Sequence, residues 1–311
     1  MGVLHYLKVG CRCLLDGNYR VLLKAGMGAY NHIPDDVFLK KIYKAKTGKI
    51  LNLDTPKTFG EKLQWLKLYD RNPAYTMMVD KYEVRQYVAE KLGEEYLIPL
   101  LGVWDDPDEI DFDSLPNQFA MKCNHNSGLG MCICSDKSKL DIKKVKKDLR
   151  KGLKQDYYIT GREWPYKNVK RRVIAEKYMS DGTGADLRDY KFYCFSGVPM
   201  FCQVICDRNT EQTIDIFDMN WVLQEFTGFG SIYPHSEKQI PKPETFDAMK
   251  TAAKILSKDI PFSRIDLYEV QGKMYFGEIT FFPASGVGAF APDEWNRTLG
   301  DLICLPEKRE I

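Results

Sequence analysis

The sequence predicts an α+β fold built on antiparallel strand pairs, and three observations carry that expectation. Residues 1–75 have helical spacing, residues 119–134 read strand, glycine-containing loop, strand, and the C-terminal half holds two hairpins turning at Gly197 and at Gln271-Gly272. With 311 residues, 44% of them hydrophobic, the chain can bury the core of one large or two moderate domains. A formal net charge of +2 gives no footing for a nucleic-acid partner. Nine cysteines, including the CxC pairs Cys11/Cys13 and Cys132/Cys134 but no double CxxC, read as reduced thiols of a cytosolic protein.

Taken in order, Leu4 to Ala25 mixes apolar residues with Lys8, Arg12, Arg20 and Lys24. A helix packed on the body is the expected use of that segment, and a membrane surface is the alternative. No stretch approaches the ~18 apolar residues of a membrane span, and the N-terminus lacks a signal-peptide core, so a cytoplasmic location is expected. Asp35 to Lys46 has helical spacing, and Thr58 with Glu61 forms a capping box ahead of Leu63, Trp65, Leu66 and Leu68. These first 75 residues show no obvious site chemistry. A further helix is expected from Lys81 to Leu92, stopping at Gly93. Tyr96 to Val103 is strand-like, and the acidic, proline-bounded Asp105–Pro116 reads as a surface turn.

The stretch Phe119–Cys123, Asn124–Gly130, Met131–Cys134 reads as a hairpin that places a flexible backbone beside Lys122. Lys137 to Arg172 holds fourteen Lys/Arg against four Asp/Glu, with Leu140, Ile142, Val145 and Leu149 as a narrow apolar stripe; a solvated helix face is expected there, and docking of an acidic acceptor is the alternative. Val173 to Met179 reads as an apolar strand entering a turn. Past Gly182 and Gly184, Asp189–Phe195 and Met200–Cys206 form one hairpin, Pro243–Lys258 an amphipathic helix, and Phe262–Val270 with Lys273–Phe281 a second hairpin.

The second hairpin holds the best local clue to chemistry. Arg264-Ile-Asp266 and Glu278-Ile-Thr280 set two carboxylates on adjacent strands, a rigid bed for Mg²⁺, which takes hard oxygen ligands and completes its shell with phosphates. A cross-strand charge ladder with Arg264 is the plainer explanation of the same pattern. Lys122, before its glycine loop, either aims an ammonium and backbone N–H groups at one anion or is an ordinary sheet-edge lysine; in that loop, with Ser127 and Gly128, His125 either contacts phosphate or substrate or makes a structural hydrogen bond. Asp207-Arg208 reads either as an acceptor-carboxylate clamp or as a surface ion pair. Phe281-Phe282-Pro283 and the following Ala284–Gly288 form either a wall over the acceptor or aromatic core with a loop. Asp111-Phe-Asp113 and Asp215-Ile-Phe-Asp218 look like turns, leaving a metal-binding DxD of glycosyltransferase type without support.

The order of these signals along the chain resembles the ATP-grasp superfamily over some 200 residues: Asp80-Lys81, Lys122 with its loop, Val173–Met179, Arg264-x-Asp266 and Glu278-x-Thr280. Lys122-Cys-Asn-His125, Asp189–Phe195 and Phe276–Pro283 look like its TupA-like branch, associated with teichuronopeptide and capsular polysaccharide synthesis. The resemblance implies two lobes of antiparallel sheet and helices clasping ATP: residues 76–175 the smaller lobe, 176–311 the larger, and 1–75 a helical accessory region. Lys81 and Lys122 would contact the α- and β-phosphates. Glu176, Lys177, Tyr178 and Met179 would be the inter-lobe hinge, with backbone groups around Lys177 and Met179 reading adenine. Asp189 would take the ribose hydroxyls, and Lys191, on the same strand face, would reach the phosphates. Asp266 and Glu278 would hold Mg²⁺. Thr280 departs from the asparagine common at its position, and Arg264 would stabilise the transferring phosphate, with Lys191 and Arg208 beside it in the catalytic set.

The reaction so implied moves a phosphoryl group from ATP to a carboxylate, and an amine then attacks the acylphosphate; no nucleophilic Ser or Cys is needed. The branch implies a uronic acid, free or carried on a nucleotide or lipid, as the acid and an amino acid or amino alcohol as the amine. Peripheral association with membrane-bound polysaccharide machinery at the inner face of the membrane follows from the same resemblance. A kinase-like phosphotransferase and a glycosyltransferase of the same pathway are the competing expectations.

Overall fold

The computed structural model describes residues 16–180, 187–206 and 211–308. Among the described residues five α-helices precede the first strand: α1 (Gly17–Gly26), α2 (Asp35–Thr47), α3 (Phe59–Tyr69), α4 (Ala74–Val79) and α5 (Val84–Lys91). The capping box that opens α3 is complete, because Thr58 Oγ1 accepts from the Glu61 amide at 3.3 Å and the Glu61 carboxylate accepts from the Thr58 amide at 2.9 Å. Helix α5 begins three residues later than expected. The Asp80 carboxylate accepts from the amides of Tyr82 and Glu83, which holds residues 80–83 in a turn and delays the helix to Val84.

The smaller sheet comprises β1 (Leu100–Trp104), β2 (Phe119–Cys123), β3 (Met131–Cys134) and β4 (Val173–Lys177), in spatial order β1-β4-β2-β3 with every pair antiparallel. Its alternation buries Phe119, Met121, Val173 and Ala175 on one face against Val145 and Leu149 of α6 (Ile142–Leu153). The proline-bounded segment read as a surface turn is more than that. Its acidic residues Asp106, Asp108, Asp111 and Asp113 are mostly exposed, while Ile110, Phe112 and Leu115 enter this same core. Residue 176, where the larger lobe was expected to begin, lies within β4 of the smaller sheet.

Two glycines fix the loop between β2 and β3 onto α6. Gly130 has φ +70°, and a Cβ on Gly152 would sit 2.6 Å from Cys123 Sγ and 2.8 Å from Gly130 Cα. The backbones approach too closely for a side chain on either partner. Gly152→Ala is therefore expected to lower stability by about 1–3 kcal/mol through overpacking, read from the urea midpoint of unfolding.

After α7 (Tyr157–Gly161) and β4 come β5 (Asp189–Phe195), β6 (Val198–Cys206), β7 (Thr213–Asp218), β8 (Thr227–Gly230), α8 (Phe246–Leu256), β9 (Phe262–Val270), β10 (Lys273–Thr280), β11 (Ala289–Ala291) and α9 (Trp295–Asp301). The larger sheet is antiparallel in the order β10-β9-β5-β6-β7, and β8 and β11 pair separately. Both expected hairpins turn on two residues with positive φ, Ser196-Gly197 and Gln271-Gly272, the conformation that matches the twist of the flanking strands. One expectation fails: Asp215-Ile-Phe-Asp218 is strand, not turn. Ile214 and Ile216 are buried along β7, and the buried Asp215 carboxylate accepts from the Ser236 amide at 3.2 Å and pairs with His235 Nδ1 at 2.9 Å, so the chain can carry it into the sheet.

The N-terminal helices share one apolar core with the larger sheet. The Phe59 ring of α3 lies 4.9–6.3 Å, centroid to centroid, from Phe195, Phe229, Phe262 and Phe290. Val21, Leu22 and Ala25 of α1 pack against the same core. Among the described residues no helix is long and apolar enough to cross a membrane, and the seven cysteines are free thiols.

Candidate active site

Register places the candidate residues of the larger sheet on one face. Directly opposed residues of antiparallel strands point to the same side. Glu278 opposes Asp266, which opposes Lys191; Thr280 opposes Arg264, which opposes Tyr193. The opposite face carries Phe192, Ile265 and Leu267 into the core, with the Phe192 ring against Phe246 of α8. Strand alternation, with a one-residue irregularity between Phe276 and Glu278 of β10, thus separates a charged face from an apolar one.

On the charged face the groups are tightly paired. Arg264 donates to both oxygens of Asp266, at 2.6 and 2.7 Å, and further to Glu278 Oε1 at 3.2 Å and Thr280 Oγ1 at 3.1 Å. Lys191 donates to Asp266 Oδ2. Asp266 is only 2% exposed, whereas the Glu278 side chain is 34% exposed. Burial pushes the Glu278 carboxyl up, but the charges of Lys81, Arg264, Lys191 and Lys122 outweigh it and bring the pKa down to about 2. Asp189, on the same strand as Lys191, is buried and hydrogen-bonded to the Tyr268 side chain.

The smaller sheet contributes from the other side. Lys122 lies in register with Met131 and Ile174, and Ala120 with Ile133 and Glu176, on the face away from α6. Lys122 Nζ sits 2.6 Å from Glu176 Oε2, and Arg85 approaches Glu176 Oε1 at 3.3 Å. Lys81 donates to the Asn126 carbonyl at 2.8 Å and lies 3.5 Å from Glu278, so it spans from the glycine loop to the larger sheet. The loop is braced at its root: Asn124, fully buried, donates to Asp80 and to the Lys170 carbonyl, both at 2.8 Å, and accepts from the Arg172 amide at 2.7 Å. Ser127 and Gly128 remain exposed at its tip.

His125 makes the structural hydrogen bond that the sequence left open beside a phosphate or substrate contact. Its ring is 1% exposed, with Nε2 3.1 Å from the Gln155 carbonyl, so it lies in the body of the small lobe and not on the cleft surface. Burial, with Arg171 and Lys81 nearby, lowers its pKa despite the Gln155 contact and Asp156. In the hinge segment the Lys177 amide is committed to the Pro99 carbonyl at 2.9 Å, which leaves the Lys177 carbonyl and the Met179 amide as the groups to weigh for adenine. Arg208, with Asp207, lies outside the described residues, as do Gly182 and Gly184.

Between the sheets opens a cavity of about 790 Å³ whose wall includes Lys81, Ser127, Arg264, Glu278 and Thr280. Its far wall includes Ala284-Ser285, from the loop that the sequence offered as a wall over the acceptor, together with residues not legible as a site in the sequence: Tyr157, Glu163 and Tyr166, and Lys46 from the helical region taken as accessory. Met131 and Ile133, 55% and 57% exposed, give the Lys122 face of the small sheet an apolar shelf. The period-two alternation of Lys122 with its cross-strand partners is the signal that could have found it.

Glu278, Asp266 and Thr280 offer hard oxygen donors of the kind magnesium prefers, and the first is held ionised and open to the cavity. Among the described residues no group of three or more His, Cys, Asp or Glu is placed to hold a metal, so an ion here would rest on two carboxylates with positions left for phosphate oxygens and water.

A helix-bearing small antiparallel sheet facing a larger one, with lysines and an acidic strand pair converging between them, defines an ATP-grasp architecture. The family model for TupA-like ATPgrasp matches residues 61–304, and the chain belongs to that family. No curated protein matches it. Among solved structures it is similar to the D-alanine–D-alanine ligase of Bacillus anthracis complexed with ATP, at 16% identity and TM-score 0.42, over 73% of this chain and 63% of that one. The D-alanine–D-alanine ligase of Helicobacter pylori aligns at 16% identity and TM-score 0.40, over 79% and 69%. D-cycloserine synthetase aligns at 13% and 0.40, over 74% and 70%. The chain thus spans a little under two thirds of the first of these.

Proposed function

We propose that this chain is an ATP-dependent ligase that activates a carboxylate as its acylphosphate and joins it to an amine. The observation that carries the reading is the convergence of Lys81, Lys122, Lys191 and Arg264 on the Asp266–Glu278 pair, cations and hard oxygens set for a triphosphate and a divalent ion. Lys81 and Lys122 bind the α- and β-phosphates beside the exposed loop tip at Ser127 and Gly128. Lys122 passes from Glu176 to the nucleotide, and Arg85 then keeps Glu176 paired. The shelf of Met131 and Ile133 packs on the adenine, whose edge meets the Lys177 carbonyl and the Met179 amide, flanked by Tyr178. Asp189 takes the ribose.

Asp266 and Glu278, with Thr280, would hold magnesium. Bound magnesium neutralises phosphate charge during transfer. Both Asp266 oxygens are occupied by Arg264 and Lys191, so one of these cations would have to turn away, toward the phosphates, for the carboxylate to serve as a ligand. Lys191 is the one bound by a single contact, so it is the group that moves, and Arg264 stays fixed to meet the developing charge.

The substrate class follows the family: a uronic-acid carboxylate, free or carried on a nucleotide or lipid, and an amino acid or amino alcohol, for a cell-surface polysaccharide made at the cytoplasmic face of the membrane. Arg208 is assigned to the acceptor end on sequence grounds alone. Incubation with Mg-ATP and a matrix of uronic acids and amines should yield an amide product together with ADP, seen by mass spectrometry. A phosphorylated hydroxyl with ADP and no amide would convert the assignment to a phosphotransferase.

A further inference from the structure

We propose that Glu163 seats the ammonium of the amine substrate and takes its proton, making the far wall of the cavity the acceptor subsite. The inference rests on the ligase reading above and goes beyond it by naming the residue that makes the amine nucleophilic.

Glu163 is 5% exposed and lines the same cavity as Arg264 and Glu278. No residue assigned to nucleotide or magnesium accounts for a buried carboxylate there, and burying one is costly without a purpose-built environment. That environment is present. Ser285 hydrogen-bonds Glu163, and the same hydroxyl accepts from Lys67 Nζ at 2.8 Å. Lys67, 1% exposed on α3, also donates to the Gly161 and Ser285 carbonyls at 2.8 and 2.9 Å. Gln64, one turn earlier, donates to the Ser285 and Gly286 carbonyls at 2.9 and 3.1 Å.

Ala284 and Ser285 both hold left-handed φ, 46° and 55°, a conformation that non-glycine residues keep only where neighbours over-determine it. Two buried side chains from α3 do so here, and what they fix is the hydroxyl that orients Glu163. The groups facing the carboxylate are Lys67, Ser285 and Arg264, with the rings of Tyr157 and Tyr166 beside it. Burial lifts the Glu163 carboxyl above its usual range against the pull of Lys67, Ser285 and Arg264, in the direction a base needs to accept a proton near neutrality. The cavity thus sets Lys81 and Arg264 where the acylphosphate forms and the Glu163 carboxylate where an ammonium would rest.

In the step, the ammonium passes one proton to Glu163. The freed nitrogen lone pair forms the C–N bond, the acyl C–O bond to phosphate breaks with its electrons on the phosphate, and the phosphate carries away the second proton lost by nitrogen.

Hydroxylamine separates acid activation from amine deprotonation, because it is neutral at pH 7.5 and traps an acylphosphate as a hydroxamate without a base. With Mg-ATP and the uronic acid used by the wild type, Glu163→Gln should keep hydroxamate formation within a few-fold and lose amide formation with the amine by about 10²-fold or more. Should Glu163→Gln fail to fold beside an unpaired Lys67, the double variant Lys67→Met, Glu163→Gln removes both charges and must give the same split. Amide formation at the wild-type rate in a folded variant overturns the proposal, and so does equal loss of hydroxamate and amide. Absence of hydroxamate from the wild type with every acid tested sinks the ligase reading instead, and this inference with it.

Discussion

Glu278→Gln is expected to cut magnesium-dependent turnover about 10³-fold in a protein that still folds, since a bound ion contributes several kcal/mol of charge stabilisation and Gln keeps the shape while losing the anionic ligand. Asp266 remains, fixed by Arg264 and Lys191, so the strand pair keeps most of its pairing. A steady-state rate with excess Mg-ATP, alongside a circular-dichroism melt, reads both halves; an unchanged rate would make Glu278 a structural partner of Arg264 and Lys81. The pH dependence has a definite sign. The folded carboxyl titrates at about 2, below its ordinary 4.5, so its ionised form stabilises the fold above pH 4.5 and that contribution is lost as pH falls toward 2. Urea unfolding of wild type and variant should therefore differ most above pH 4.5 and converge on acidification. Because the side chain is a third exposed, the difference will be modest.

How much of this was legible beforehand depended on whether local pattern or tertiary contact decided the outcome. The hairpins at Ser196-Gly197 and Gln271-Gly272 and the capped helix after Thr58 were legible because turn and cap chemistry is local. The Asp266–Glu278 opposition did not follow from the second hairpin's two-residue turn, whose register would set Asp266 against Gly277; a one-residue irregularity between Phe276 and Glu278 brings Glu278 opposite Asp266. Strand β7 was misread because Asp215 looks like a turn residue until His235 and Ser236, some twenty positions later, satisfy it. The inward turn of His125 likewise depends on Gln155, thirty residues away. Apart from the Ala284–Gly288 loop, the far wall of the cavity was hidden for the same reason. Lys67 reads as an ordinary helix lysine, and only its burial against Gly161 and Ser285 distinguishes it.

Arg264 separates a structural account of the site from a catalytic one. In the structure its guanidinium serves three acceptors at once, Asp266 through two parallel bonds, Glu278 and Thr280. An ammonium at the same place keeps the charge but cannot reproduce the planar fork. Arg264→Lys is therefore expected to lower kcat about 10²–10³-fold, the loss seen when one fixed donor to a developing oxyanion is removed, with the KM for ATP changed only a few-fold. Arg264→Ala would leave the buried Asp266 with Lys191 alone and would confound rate with stability, so the lysine variant is the sharper probe. If Arg264 were only a strut between strands, Arg264→Lys would lower the melting temperature and leave kcat within a few-fold. If it meets the transferring phosphoryl group, kcat falls even at temperatures where the variant is fully folded, and single-turnover formation of the hydroxamate slows by the same factor.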